Sequence, residues 1–227
     1  MFSSLSPPKA RFDSSRSSSP QESKRIVVGI AGVPGSGKTT LASLTAARVN
    51  ELYLESHRDE DPVAVAVPMD GFHYTREHLA GMANAAEAIH RRGAAFTFDA
   101  EGFRRLIESL TAPESKTVTA PSFDHATKDP VADAITIPPS TRIVLVEGNY
   151  CALDKPVWRD AAALLTERWF IDTPPSLAHQ RLATRHLASG IVATAEEGWA
   201  RATGPDDLNA QEIRACRLPC DEVLLIT

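Results

Sequence analysis

The sequence predicts an α/β fold, doubly wound: a mostly parallel sheet covered by helices on both faces. Three observations predict it. Short apolar, β-branched runs recur along the chain, and stretches with helical spacing of apolar residues lie between most of them. The first run also leads directly into a glycine-rich turn that ends in a helix-like stretch.

The runs occupy residues 26–31, 63–68, 117–121, 143–146, 168–172 and 223–226, and each reads as a strand. After the first, Leu41, Leu44, Val49 and Leu52 fall at roughly helical spacing. Asp99 is placed to cap a helix carrying Phe103, Leu106 and Leu110, with Glu101 near the positive end of its dipole. A third helix is expected from about residue 176, with Leu177, Leu182 and Leu187 as its apolar stripe. In such a sheet ligands bind beyond the carboxyl ends of the strands, so the polar residues there are the functional candidates.

With 227 residues and 43% hydrophobic content, the chain can bury one sizeable core. Residues 1–23 are rich in Ser and Pro and read as a disordered tail; the folded unit is expected over residues 24–227. The tail lacks the apolar block of a secretory signal, and Asp13, Glu22 and the prolines count against a mitochondrial transit helix. A net charge of −5 with no long basic run argues against nucleic acid or an anionic membrane as the main partner. No apolar run is long enough to span a bilayer. Cys151, Cys216 and Cys220 are too few and too scattered for a disulfide framework, which fits a reducing, cytoplasmic setting. Single exposed apolar residues carry no information on oligomeric state.

The turn after the first strand reads Gly32-Val33-Pro34-Gly35-Ser36-Gly37-Lys38-Thr39, followed by Thr40. This is a complete P-loop in its required place, between a buried strand and a helix N-terminus. Its glycines let the backbone wrap phosphate oxygens, and the helix-start N–H groups hold the anion. Lys38 can reach the β- and γ-phosphates, and the Thr39 hydroxyl can ligate Mg²⁺.

Two other strand ends carry acids. Asp70 follows the second run in Pro68-Met69-Asp70-Gly71-Phe72-His73-Tyr74, where it can accept a proton from a hydroxyl or hold a Mg²⁺-bound water. Glu147 follows Ile143-Val144-Leu145-Val146, the form of a Walker B segment; it can orient a water on Mg²⁺ or share the acid–base role. Asn149 and Tyr150 continue the same rim and are candidate substrate contacts, as are His73 and Tyr74. Phe123, Asp124 and His125, leading to Lys128-Asp129-Pro130, combine an aromatic, acids, an imidazole and an amine on one loop. That mixture suits a polyhydroxylated or carboxylated substrate, and it equally suits a polar hairpin. Arg181 and Arg185 share a helix face leading to His186 and Gly190, and a flexible segment with Glu196, Glu197 and Arg201 is expected next. Residues 185–205 have the form of a lid that closes over phosphates.

Taken together, the segments 32–40 and 68–74, Arg91-Arg92-Gly93 with Phe96-Thr97-Phe98-Asp99, and Phe123-Asp124-His125 with Asp129-Pro130 resemble the phosphoribulokinase/uridine kinase/pantothenate kinase family of P-loop kinases. Glu147-Gly148-Asn149-Tyr150, Arg185-His186 through Gly190, and the stretch 206–209 complete the resemblance, in family order, with a look nearest to its fungal and bacterial ATP-dependent kinase branch. The resemblance implies the P-loop nucleoside triphosphate hydrolase type of fold with a small lid, ATP with Mg²⁺, and phosphoryl transfer to a hydroxyl of a small metabolite. It implies Lys38, Asp70, Glu147 and Arg185 as catalytic residues, with Asp70 as the base and Arg185 on the phosphates. Thr39 and Glu147 would support the metal, and His125 with its neighbours the acceptor. The acceptor loop looks nearer to the pantothenate kinase pattern than to the uridine kinase one and matches neither fully. A P-loop GTPase or other switch is one alternative, weakened by the absence of an Asn-Lys-x-Asp segment; a weakly catalytic nucleotide-binding protein is the other, against which the presence of Lys38, Asp70 and Glu147 argues.

Overall fold

A computed structural model describes residues 24–113 and 116–226. The expected tail at residues 1–23 lies outside the described residues. Five parallel strands form the central sheet: β1 (Ile26–Gly32), β2 (Ala64–Pro68), β5 (Ile143–Glu147), β6 (Glu167–Asp172) and β7 (Glu222–Leu225), in the order β2-β5-β1-β6-β7. β1, the first strand of the described residues, lies in the middle of this sheet; the chain crosses to the edge at β2, returns inward at β5, and then passes through β6 to the other edge at β7. β1 and β5 are therefore buried on both faces and read as near-continuous apolar runs.

Alternate β1 side chains point to opposite faces. Val28 and Ile30 meet Ala42 and Ala46 of helix α1 (Lys38–Ser56) on one side. Val27 and Ala31 meet the larger cluster on the other. There Phe103, Leu106, Ile107 and Leu110 of α4 (Ala100–Thr111) supply the expected stripe, and Asp99 caps that helix by accepting from the Gly102 N–H. The predicted stripe on α1 is corrected: Leu44 and Leu52 are exposed, and small alanines face the sheet with Leu41 and Val49 only partly buried. Close helix–sheet approach selects small residues there. On helix α6 (Pro175–Ala188) Leu182 is buried and Leu187 exposed.

The run at 117–121 does not join the sheet. It belongs to β3 (Val118–Asp124), which pairs antiparallel with β4 (Asp129–Ile137) in a separate two-stranded ribbon. The register shifts between Ala120 and Ser122, around Pro121, whose ring nitrogen has no hydrogen to donate. Strand β4 is mostly solvent-exposed, so it lacks the apolar alternation that marks a strand in sequence. The ribbon is pinned to the turn after β2: a Cβ on Gly71 would lie 2.1 Å from the Pro121 carbonyl oxygen.

Short helices α2 (Arg76–Ala80) and α3 (Ala85–His90) follow β2, and α5 (Trp158–Ala163) precedes β6. The segment expected to be flexible after α6 contains helix α7 (Ala195–Thr203), which begins in a capping box between Thr194 and Glu197. Helix α8 (Pro205–Ala215) then returns the chain towards β7. No helix among the described residues is long and apolar enough to cross a membrane.

Candidate active site

The glycine-rich turn forms the cradle its sequence implies. Gly35 and Gly37 adopt φ of 77° and 96°, a region that side chains rarely enter. A Cβ on Gly35 would lie 2.7 Å from the Ala178 carbonyl oxygen, so the loop is seated directly on α6. Val33 and Pro34 are buried, and the Val33 carbonyl accepts from the Ser36 N–H. Lys38 opens α1 with its side chain folded back along the loop: Nζ donates to the carbonyls of Gly32 (3.0 Å) and Val33 (2.9 Å). Burial pulls this ammonium down to about 8, against the opposing fields of Glu147 and Asp70.

Glu147 ends β5 beside Ile30 of β1 and Pro68 of β2, so the parallel register brings it to the loop. Its Oε1 accepts from the Thr39 hydroxyl at 2.8 Å. Burial pushes the Glu147 carboxyl up, while Lys38 and the Thr39 hydroxyl pull it back. Asp70 is exposed, in a 3-10 turn (Met69–Phe72) that continues β2. It lies two residues beyond Pro68, the register partner of Glu147, which places it on the same rim. Opposite them, Arg181 and Arg185 of α6 close a cavity of about 190 Å³ over Gly35, Gly37, Lys38, Thr39 and Thr40.

The donor set fits a polyphosphate with a divalent cation. The Ser36 Oγ is buried with no partner, Lys38 is held by neutral carbonyls alone, and the Thr39 hydroxyl and Glu147 carboxylate lie together at the cavity edge. Among the described residues no group of three or more His, Cys, Asp or Glu is spaced to hold a metal alone. That fits Mg²⁺, which binds through one or two protein oxygens together with substrate phosphates and water.

On the other side of Asp70 stands an aromatic wall. The His73 Nδ1 is 2.8 Å from the Asp70 carbonyl oxygen, and its ring lies 3.9 Å from Phe98 and 4.9 Å from Phe123. Burial lowers the His73 pKa, with Asp70 opposing. His125, exposed at the ribbon tip, is 5.3 Å from Phe123, and the Arg92 guanidinium lies over the Phe123 ring at 5.6 Å. Tyr74 stacks on His78 at 4.1 Å, and its carbonyl accepts from Arg92.

Two expectations change. Tyr150 does not continue the rim. It is fully buried against Phe98 and Trp158, and its hydroxyl donates to the Gly93 carbonyl at 2.6 Å. The chain turns inward after Glu147, leaving Asn149 half-buried at the strand end. The carboxylate of Asp124 is engaged in its own turn, accepting from the Ala126 N–H and the Thr127 hydroxyl, which hold its pKa down. His186 points into the protein and pairs with Asp206 at 2.6 Å, whereas Arg185, one residue earlier, faces the cavity. Sequence reasoning missed the role of Arg92 as a clamp: it bonds Asp129, Lys128 and Tyr74 and so fixes the ribbon to the turn after β2. The Arg91-Arg92-Gly93 segment was visible, but nothing local names its partners.

Residues 27–174 match the model of the phosphoribulokinase/uridine kinase family. An ATP-dependent kinase-like protein of Aspergillus versicolor is 48% identical over 160 residues, covering 69% of this chain and 92% of that protein. A protein of Schizosaccharomyces pombe described as a candidate uridine kinase is 40% identical, with 88% and 83% covered. Among solved structures, a candidate fructose transport system kinase from a Silicibacter species is 36% identical and superposes with a TM-score of 0.77, covering 90% of this chain and 92% of that one. YFH7 of Saccharomyces cerevisiae superposes equally well (TM-score 0.77, 91% and 94% covered) at 24% identity, a likeness of fold.

Proposed function

This chain belongs to the phosphoribulokinase/uridine kinase family, and on that footing we propose that it transfers the γ-phosphoryl group of ATP to a hydroxyl of a small metabolite. The observation that carries this reading is the meeting of Lys38, Glu147 and Asp70 at the carboxyl ends of three adjacent strands, under Arg181 and Arg185.

In this reading the N–H groups of Gly35, Gly37, Lys38, Thr39 and Thr40, which line the cavity, and the Lys38 ammonium hold the β- and γ-phosphates, Lys38 exchanging its loop carbonyls for phosphate oxygens. Thr39 and Glu147 would hold Mg²⁺, which when bound would neutralise phosphate charge. Asp70 orients the acceptor hydroxyl and takes its proton as that oxygen bonds to the γ-phosphorus. The bond from phosphorus to the β–γ bridging oxygen breaks, and ADP leaves. Arg181 and Arg185 face the charge of the transferring group, and residues 185–205 serve as the lid. His73, Phe123 and His125 form the acceptor wall, with Asn149 at its edge. An aromatic wall beside a carboxylate suits a nucleoside, a pantothenate-like compound or a sugar.

The test is ADP release with a panel of nucleosides, pantothenate, sugars and sugar phosphates, repeated with Asp70→Ala. An acceptor is expected to stimulate release well above hydrolysis. Asp70→Ala should lower that rate by about 10²–10⁴-fold, the span of general-base loss, with nucleotide affinity retained. Near-normal turnover in the variant removes Asp70 from the mechanism. Nucleotide binding with no acceptor-stimulated release would instead mark a nucleotide-dependent switch.

A further inference from the structure

The N-terminal part of α8 bonds to α6, the helix behind the cavity, and to the turn that leads into the aromatic wall, without lining either. Asp206 accepts from His186 (2.6 Å) and Asp207 meets His179 (2.8 Å), and both histidines lie on α6, the helix that carries Arg181 and Arg185. Two residues on, Asn209 is almost fully buried, and its Oδ1 accepts from the Arg91 guanidinium at 2.9 Å. Its Nδ2 stands against Gly93, 3.7 Å from where a Cβ would be, at a φ of 110°. Further along α8, Arg214 donates to the carbonyl of Thr173, whose hydroxyl in turn reaches the Ser36 carbonyl in the glycine-rich turn.

The turn held by Asn209 is the base of the acceptor wall. Arg92 bonds Asp129 of the ribbon and lies over Phe123. Gly93 accepts from Tyr150 and donates to the Thr97 hydroxyl. Phe98, one residue beyond Thr97, is the ring on which His73 rests. A displacement of α8 therefore moves Arg91 and, through the backbone of residues 91–98, the surface facing Asp70. Helix α6 cannot shift towards phosphate without shifting its two histidines, and these are tied to the same turn of α8.

We infer that the Asp206–Asn209 turn couples nucleotide occupancy to the shape of the acceptor wall, with Asn209 as a positioning residue that acts through Arg91. The inference rests on the kinase reading of the P-loop cavity. Neither Asn209 nor Arg91 lines that cavity. Coupling of this kind needs an element that both sites bias, and α8 is that element.

Hydrogen exchange read by mass spectrometry tests it on the full chain, with the β,γ-imido analogue of ATP and Mg²⁺ as the probe. The amides of Ala94, Thr97 and Asp99 are hydrogen-bonded and report on the turn. In the unaltered protein the analogue should slow exchange over residues 91–99 by about tenfold, an ordinary coupling magnitude. Asn209→Ala should remove most of that slowing while calorimetric affinity for the analogue stays within about twofold, measured against the same coupling scale. Arg91→Gln cuts the contact from its partly exposed side and should do the same, even where Asn209→Ala destabilises the fold. Asn209→Asp, which still accepts from Arg91, should restore the effect. Bound analogue without slowed exchange at 91–99 in the unaltered protein overturns the coupling alone, as does slowing that survives Arg91→Gln. Absence of any binding heat overturns the kinase reading itself, and this inference with it.

Discussion

Lys38 gives the sharpest test of the nucleotide cavity. Its ammonium is buried, bonded only to the neutral carbonyls of Gly32 and Val33, and held near a pKa of about 8. Between pH 7 and 9 the free protein therefore holds a partly neutral lysine. Polyphosphate in the cavity favours the charged form, so binding must draw a proton from solvent. With a free-state pKa of about 8, the expected uptake is about 0.1 proton at pH 7, about 0.5 at pH 8 and about 0.9 at pH 9. The assay is calorimetric titration of the β,γ-imido analogue with Mg²⁺ in buffers of different ionisation heat, whose slope gives the protons exchanged. Lys38→Met removes the titrating group and separates its proton from any that Glu147 exchanges. An uptake that stays flat across this range, or persists in Lys38→Met, refutes the assignment. The sign for stability follows the same way. A lysine whose folded pKa is lowered makes the unfolded chain the stronger proton binder between about pH 8 and 10.5, so the Lys38 contribution to stability rises with pH in that window.

Tyr150→Phe should lower unfolding stability by about 1–3 kcal/mol in urea, because the Gly93 carbonyl loses its buried donor; a rise in the KM for the acceptor with unchanged stability would return Tyr150 to the site. Gly71→Ala should cost more than about 2 kcal/mol, since its Cβ meets the backbone of the β3–β4 ribbon. It should also reduce acceptor-dependent ADP release, because Asp70 is the adjacent residue. An unchanged urea midpoint would show that the ribbon is not seated on this turn.

The nucleotide half of the site is legible in sequence because it is local. From Gly32 to Thr39 the chain runs strand, loop and helix without a gap, and each residue's task follows from the backbone it sits on. Asp70 and Glu147 are legible for a related reason. Each lies at or just beyond the end of an apolar strand, and a parallel sheet collects strand ends along one rim. The family model and the likeness to solved kinases agree with that reading of the fold.

The half proposed to take the acceptor is different. Period-two alternation tells which way a side chain points only while the strand lasts. Glu147 is the last residue of β5, and three residues later the chain has turned and Tyr150 faces the core. Strand β4 is largely solvated on its outer surface, so no apolar pattern announces it. Arg91 meets Asn209, and Arg25 reaches the carbonyls of Thr141, Pro138 and Lys116, across separations of 91 to 118 residues. A guanidinium carries no local sign of which distant carbonyl or amide it will find. The sequence by itself determined a phosphate cradle, the acids beside it and the sheet that aligns them, because short-range geometry requires those residue types in that order. Only the tertiary structure decided that α8 ties the arginine-bearing helix to the turn before the aromatic wall, because that link exists only once remote segments have packed.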